Sequence, residues 1–128
     1  MKKALAICLL VSAVILGANP EKKITIQSYE NSIKSLMAGL DSENYGLVTS
    51  SAYMLGELKA ENAVIPLMKM LRNSEDEETR IVAALALYKI GTASSIHAVY
   101  QASRFDESKR VRKLCLRFYM DYQQKTDL

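Results

Sequence analysis

Few side chains in this sequence have the chemistry to react. It holds one histidine, His97, and two cysteines, Cys8 and Cys115. A metal site needs two or more His, Cys or carboxylate ligands at helical or loop spacing, and nothing in the sequence frames His97 in that way. A cysteine nucleophile needs a base and an orienting group beside it. Cys115 instead falls at i, i+3, i+4 spacing with Val111, Leu114 and Phe118, which describes a core position. No Gly-rich phosphate loop, Ser-centred elbow or pair of catalytic carboxylates appears. The pattern predicts no catalytic centre, no metal and no cofactor.

What remains are groups that bind rather than react. Arg110, Lys113 and Arg117, with Lys109 and Arg112 beside them, fall three and four residues apart and so form a basic stripe on one helix face. Such a stripe suits an acidic protein or an anionic lipid surface, or it is simply a solvated outer face. Glu75-Asp76-Glu77-Glu78 reads first as a helix start, where negative charge suits the positive end of the helix dipole, and second as an acidic docking site. A further polar row emerges only once the elements that hold it are placed.

Those elements repeat. A shift of 32 residues carries Ala52, Leu55 and Leu58 onto Ala84, Leu87 and Ile90, Val64 onto Ile96, Leu67 onto Val99 and Arg80 onto Arg112. Apolar positions fall on apolar positions through a whole helical hairpin, the signature of a stacked repeat. Ile26, Tyr29, Ile33, Leu36, Met37 and Leu40 predict an amphipathic helix over Thr25–Leu40. The next is expected to be capped by Ser42 and to bury Tyr45, Val48, Ala52, Leu55 and Leu58. Asn62 is the expected cap of Ala63–Arg72, whose first turn tolerates Pro66. Ser74 and Glu77 match a capping box for Glu77–Ile90, which buries Ile81, Ala84, Leu85, Leu87 and Tyr88 and ends at Gly91 in a left-handed cap. Ser94 or Ser95 opens a shorter helix to Ser103. Asp106 or Ser108 opens Lys109–Gln123, with Val111, Leu114, Cys115, Phe118, Tyr119 and Tyr122 inward.

These residues carry a family resemblance. Ala-Tyr-Met-Leu-Gly-Glu-Leu at 52–58, which holds Leu55, Gly56 and Leu58, is followed by Ala63-Val64-Ile65-Pro66-Leu67 and Leu71, then Thr79-Arg80 and Ala83–Leu87. With Leu87-Tyr88-Lys89-Ile90-Gly91 and Val111-Arg112, this resembles the HEAT repeat, most closely its short bacterial (phycobilisome-lyase-type) form, from about Glu43 to Tyr122. The departures are Lys59, where the first repeat would have Gly, and a second hairpin, Ser94–Arg104, without its Pro. The resemblance implies an all-α fold, a right-handed α-α superhelix (HEAT-like solenoid) of about two to two and a half helical hairpins plus terminal helices. Its second helices would line a concave side. There Lys69 and Arg72 align with Gln101 and Arg104, and Lys34 on the first helix extends the row as a binding surface for a protein partner. The family's matching arginines, Arg80 and Arg112 here, are expected to bond to acidic or polar groups of the neighbouring repeat. A lyase activity does not transfer with a fold.

The 128 residues have room for one domain, and 49% apolar with 24% charged is enough for a core. Met1-Lys2-Lys3 followed by the uncharged apolar run Ala4–Gly17 forms the n- and h-regions of a secretory signal. The run is shorter than the ~20 residues of a spanning helix. Small residues at Leu16-Gly17-Ala18 place the cut after Ala18, although Leu16 is larger than the site prefers. The alternative is an uncleaved anchor at the inner membrane. Cys8 sits inside the run, too early to be a lipoprotein cysteine. Two of the 17 basic residues, Lys2 and Lys3, lie in this segment, leaving 15 against 14 acidic, a balance that gives no pull toward nucleic acid. The expected order is a signal at 1–18, a linker at 19–24, the repeat domain at 25–123 and a tail at 124–128. The sequence thus predicts a periplasmic or secreted, non-catalytic scaffold, with docking on anionic lipid through the basic C-terminal helix, or a place as accessory subunit of an envelope enzyme complex, as the alternatives. Its C-terminal end, rich in Leu116, Phe118, Met120 and Tyr122, is expected to hold a homodimer or a bound partner.

Overall fold

The structure, a computed structural model, describes residues 20–128, with side chains from Thr25 onward. The signal at 1–18 and Cys8 lie outside the described residues. Six α-helices are found among them: α1 (Pro20–Gly39), α2 (Tyr45–Glu57), α3 (Val64–Asn73), α4 (Glu77–Ile90), α5 (Ala93–Phe105) and α6 (Lys109–Thr126), with a single 3₁₀ turn at Glu61–Ala63. The first helix begins at Pro20 rather than Thr25, so most of the expected linker is helical. Proline suits the first position of a helix because its missing N–H has no intrahelical partner there.

The compact unit runs from Ile33 to Leu128. Ile33 is buried in its core and Leu36, Met37 and Leu40 pack against it. Ile26 and Tyr29, expected on the same buried face, are exposed. Helix α4 is its centre, packing against α2, α3, α5 and α6. A helix with neighbours on several sides buries more than one stripe. Thr79, Arg80, Ala83, Ala84, Ala86, Leu87 and Ile90 are all buried, whereas Ile81, Leu85 and Tyr88 of the expected face are half-buried. Leu55, Leu67 and Leu87, one from each of α2, α3 and α4, lose all solvent contact. Each contributes about 1.5–3 kcal/mol by leaving water. Val64 and Leu71 join them, Leu58 packs at the edge, and Pro66 is half-buried in the first turn of α3. Tyr45, expected inside, is exposed at the start of α2.

The caps fall one or two residues from where the sequence placed most of them. Asn44, not Ser42, caps α2 by accepting from the Leu47 amide, and Ser42 Oγ accepts from Asn44 N. The 3₁₀ turn leads into α3 in place of an Asn62 side-chain cap. Asp76, not Ser74, caps α4, accepting from both the amide and the hydroxyl of Thr79 at 2.7 Å. Those two donors hold the Asp76 carboxyl below the usual carboxylate range. Its stabilisation is therefore complete above about pH 4 and is lost as pH falls through the lowered value. Thr92 caps α5, and Ser108 caps α6 by accepting from the amides of Arg110 and Val111.

Helix ends repeat as closely as helix faces do. Gly91 ends α4 in the left-handed region at φ 72°. Thirty-two residues earlier, Lys59 takes the same region at φ 51°. There Lys59 N donates to Gly56 O at 3.1 Å and Ala60 N to Leu55 O at 3.0 Å, the paired bonds of a Schellman cap. The fold keeps the turn although the residue is not glycine. A side chain with Cβ in this region costs about 1–2 kcal/mol, part of which glycine returns through its freer unfolded chain. Lys59→Gly is expected to stabilise the fold by about 1 kcal/mol, read as a higher melting temperature. A lower one would show that Lys59 makes a compensating contact.

Candidate functional site

The residues first suspected of chemistry are placed apart. Cys115 is fully buried between α6 and the core, and burial pushes its thiol up to about 12, with the Asp106 carboxylate adding to the rise. At neutral pH it is a protonated core side chain, not a nucleophile. His97 is exposed on α5, its Nε2 3.4 Å from Gln101 Nε2. Among the described residues no three His, Cys, Asp or Glu side chains gather closely enough to hold a metal ion.

A cleft of about 740 Å³ opens between the C-terminal halves of α3 and α5. Met68, Leu71, Ala98 and Ala102 give it apolar lining, and Phe105, also in the lining, has 74% of its surface exposed. Its polar lining includes Arg72, His97 and Gln101 and the carboxylates Glu75 and Glu107. Of the expected polar row, Arg72 and Gln101 meet here. Lys69 and Lys34 are exposed but do not line the cleft, and Arg104 folds back on its own helix, 3.4 Å from Tyr100 Oη. Phe105 and His97 were not on the expected surface. Periodicity predicts a helix that ends at Ser103, whereas α5 continues to Phe105 and so adds its ring to the cleft lining.

Arg80 forms the floor of this cleft and is 4% exposed. Its Nε and Nη2 donate to the two oxygens of Asp106 at 3.0 and 3.1 Å, and its Nη1 donates to the carbonyls of Ser74 and Glu75 at 2.9 and 3.0 Å. The two-pronged bond to Asp106 raises the guanidinium above its already high value, so it stays charged. This one side chain ties the loop before α4 to the loop before α6 and so sets the separation of α3 and α5.

The basic stripe is engaged at its N-terminal end. Arg110 pairs with Glu78 of α4, while Lys113 and Arg117 are exposed. Tyr88, Asp121 and Lys125 form a hydrogen-bonded cluster between α4 and α6. Asp121 raises Lys125 well above the usual lysine range, so the amine stays charged and the cluster acts as a clamp.

Hairpins related by a 32-residue shift, left-handed caps at the same place in each, and an arginine reaching the next repeat describe a helical-repeat stack. The family model for HEAT repeats matches residues 33–117. The chain belongs to the HEAT-repeat family. HEAT repeats in general mediate contacts between proteins and are typically non-catalytic. No curated protein matches the sequence. The fold is a short all-helical HEAT solenoid, and the cleft lies between the second helices of its two hairpins, α3 and α5.

Proposed function

We propose that this HEAT protein is an exported, non-catalytic interaction module whose protein partner seats an apolar side chain in the cleft between α3 and α5. The observation that carries this is Phe105, an aromatic side chain left in water in the lining of a cleft that also holds apolar Met68 and Leu71 and polar Arg72 and Gln101. An aromatic anchor with charged groups around it is the arrangement in which interface energy concentrates. Export rests on the charged start and apolar run of residues 1–18. The first residue of the exported chain is expected to be Asn19, read by N-terminal sequencing of the periplasmic fraction.

The test is in-cell photo-cross-linking from position 101, with the adduct identified by mass spectrometry. One envelope protein is expected, captured reproducibly and lost on Phe105→Glu with Arg72→Glu. Both substitutions lie on exposed side chains and should leave the melting temperature within about a degree or two. Adducts that survive them would remove the cleft from consideration. A second reading, docking on anionic lipid, draws on exposed Lys113 and Arg117. It expects co-sedimentation with anionic vesicles that Lys113→Glu with Arg117→Glu abolishes.

A further inference from the structure

The way α6 covers α4 supplies a template for what would cover α6. Phe118 of α6 stacks on Tyr88 of α4, ring centroids 5.5 Å apart, and Val111 is fully buried in the same contact layer. The loop before α6 brings Asp106 to Arg80, with Glu107 3.6 Å from the same guanidinium. Shifted by one repeat, Tyr88 becomes Met120, Ala84 becomes Leu116 and Arg80 becomes Arg112. Met120 is 53% and Leu116 46% exposed. Arg112 keeps one half of Arg80's role: its Nη1 donates to the carbonyls of Asp106 and Glu107, as Arg80 does to those of Ser74 and Glu75. No carboxylate among the described residues reaches its other donors.

The covering face has its own counterpart in the same chain. Two repeats before α6 stands α2, and the shift carries Val111 to Leu47, Phe118 to Met54, Asp106 to Ser42 and Glu107 to Glu43, so Glu43 is the aligned carboxylate that remains. Leu47 is 50% and Met54 43% exposed, although Val111 in the equivalent place has no exposure. Asp41 and Glu43 are exposed in the loop before α2, and neither forms an ion pair among the described residues.

We infer that a second copy of this chain docks head to tail, its α2 and acidic loop covering α6, so that Glu43 of one copy meets Arg112 of the other. Met54 then lies on Met120 as Phe118 lies on Tyr88. Charge selects this mode over a symmetric pairing of α6 with itself, which would bring Arg112, with Lys113 and Arg117 beside it, against the same cations of the other copy. One like-charged pair results, Asp121 facing Glu57, but each is already bonded to a lysine of its own copy, Lys125 and Lys89. The expected homodimer changes in two ways. Of Leu116, Phe118, Met120 and Tyr122, Phe118 and Tyr122 are engaged within the chain, Tyr122 Oη donating to Gly91 O at 3.3 Å. The contact is also heterologous, which allows growth into rings or open chains.

Sedimentation velocity of the full chain, from low micromolar to about a millimolar, covers the range in which a small interface associates. The weight-average mass is expected to rise with concentration and to fall with added salt. Glu43→Arg and Arg112→Glu should each weaken association about ten- to a hundredfold. An equimolar mixture of the two variants should restore it, since each new charge meets its opposite in the other copy. Met120→Glu, on an exposed side chain, should abolish association without changing the melting temperature, which guards against an Arg112 variant that merely unfolds. A monomer across the whole range overturns the inference. So does association that Glu43→Arg leaves unchanged, or that the mixture fails to restore, as a symmetric α6 dimer would.

Discussion

Arg80→Ala is expected to destabilise the fold by about 3–5 kcal/mol. The guanidinium is 4% exposed and makes two bonds to Asp106 and two to the carbonyls of Ser74 and Glu75. Truncation would leave the Asp106 carboxylate, whose side chain is 8% exposed, without its counter-ion. It would also leave two carbonyls without a donor, and an orphaned buried charge costs more than the pair contributed when intact. A small domain holds about 5–15 kcal/mol of stability in all, so this one change removes a large share. Arg80→Lys should recover little, because a single ammonium cannot serve a carboxylate and two carbonyls from the positions of the planar fork. Arg112→Ala is the internal control: the residue aligns with Arg80 but donates only to two carbonyls and is half-buried. Its expected cost is about 0.5–1.5 kcal/mol. Urea denaturation of the three variants decides the matter; equal losses at positions 80 and 112 would show that the carboxylate pair contributes nothing of its own. Asp106→Asn combined with Arg80→Met should lose less than Arg80→Ala alone, since the charge left behind is gone.

Arg80 also shows where sequence reasoning reached and where it stopped. The offset of 32 residues exposed the repeat, and with it the arginine pair, because a stacked fold places the same demand on each unit. The partner was not legible in detail. Arg80 does reach the next repeat through Asp106, whereas Arg112 bonds the loop before its own helix. Capping residues were misplaced for a related reason. Ser, Asp, Asn and Thr cluster before α2, α4 and α5, and several of them satisfy the preference of an N-terminus. Which one is used depends on where packing against the neighbouring helices fixes the first turn. The cleft was half legible: Arg72 and Gln101 followed from helix periodicity, while Phe105 depended on the end of α5, and helix ends are what periodicity defines least. Burial of the Ala-rich segment of α4 on several sides could not be read from one apolar stripe, since it arises from four neighbouring helices.

Gly56→Ala is expected to cost about 2 kcal/mol, although alanine is the better helix former by about 1 kcal/mol. Gly56 lies inside α2 where that helix crosses α4. A Cβ there would stand 2.7 Å from the Cα of Ala86, 3.0 Å from its Cβ and 3.3 Å from its carbonyl oxygen. Backbone atoms in a helix cannot rotate aside as a side chain can, so α2 and α4 must part. Parting them loosens the contact that Leu55 and Leu87 close. Overpacking of this kind costs about 1–3 kcal/mol and at times more, enough to outweigh the gain in helix propensity. Gly46 in the same helix provides the contrast: its added Cβ meets only Asn44 Oδ1 at 3.3 Å. Gly46→Ala should therefore be neutral to slightly stabilising, by up to about 1 kcal/mol. Adding Ala86→Gly to Gly56→Ala removes the 3.0 Å contact but not the 2.7 Å one, so rescue should be partial. Full rescue would place the obstruction in the Ala86 methyl rather than in the approach of the two backbones, and the crossing of α2 and α4 would then tolerate larger residues than its glycine suggests.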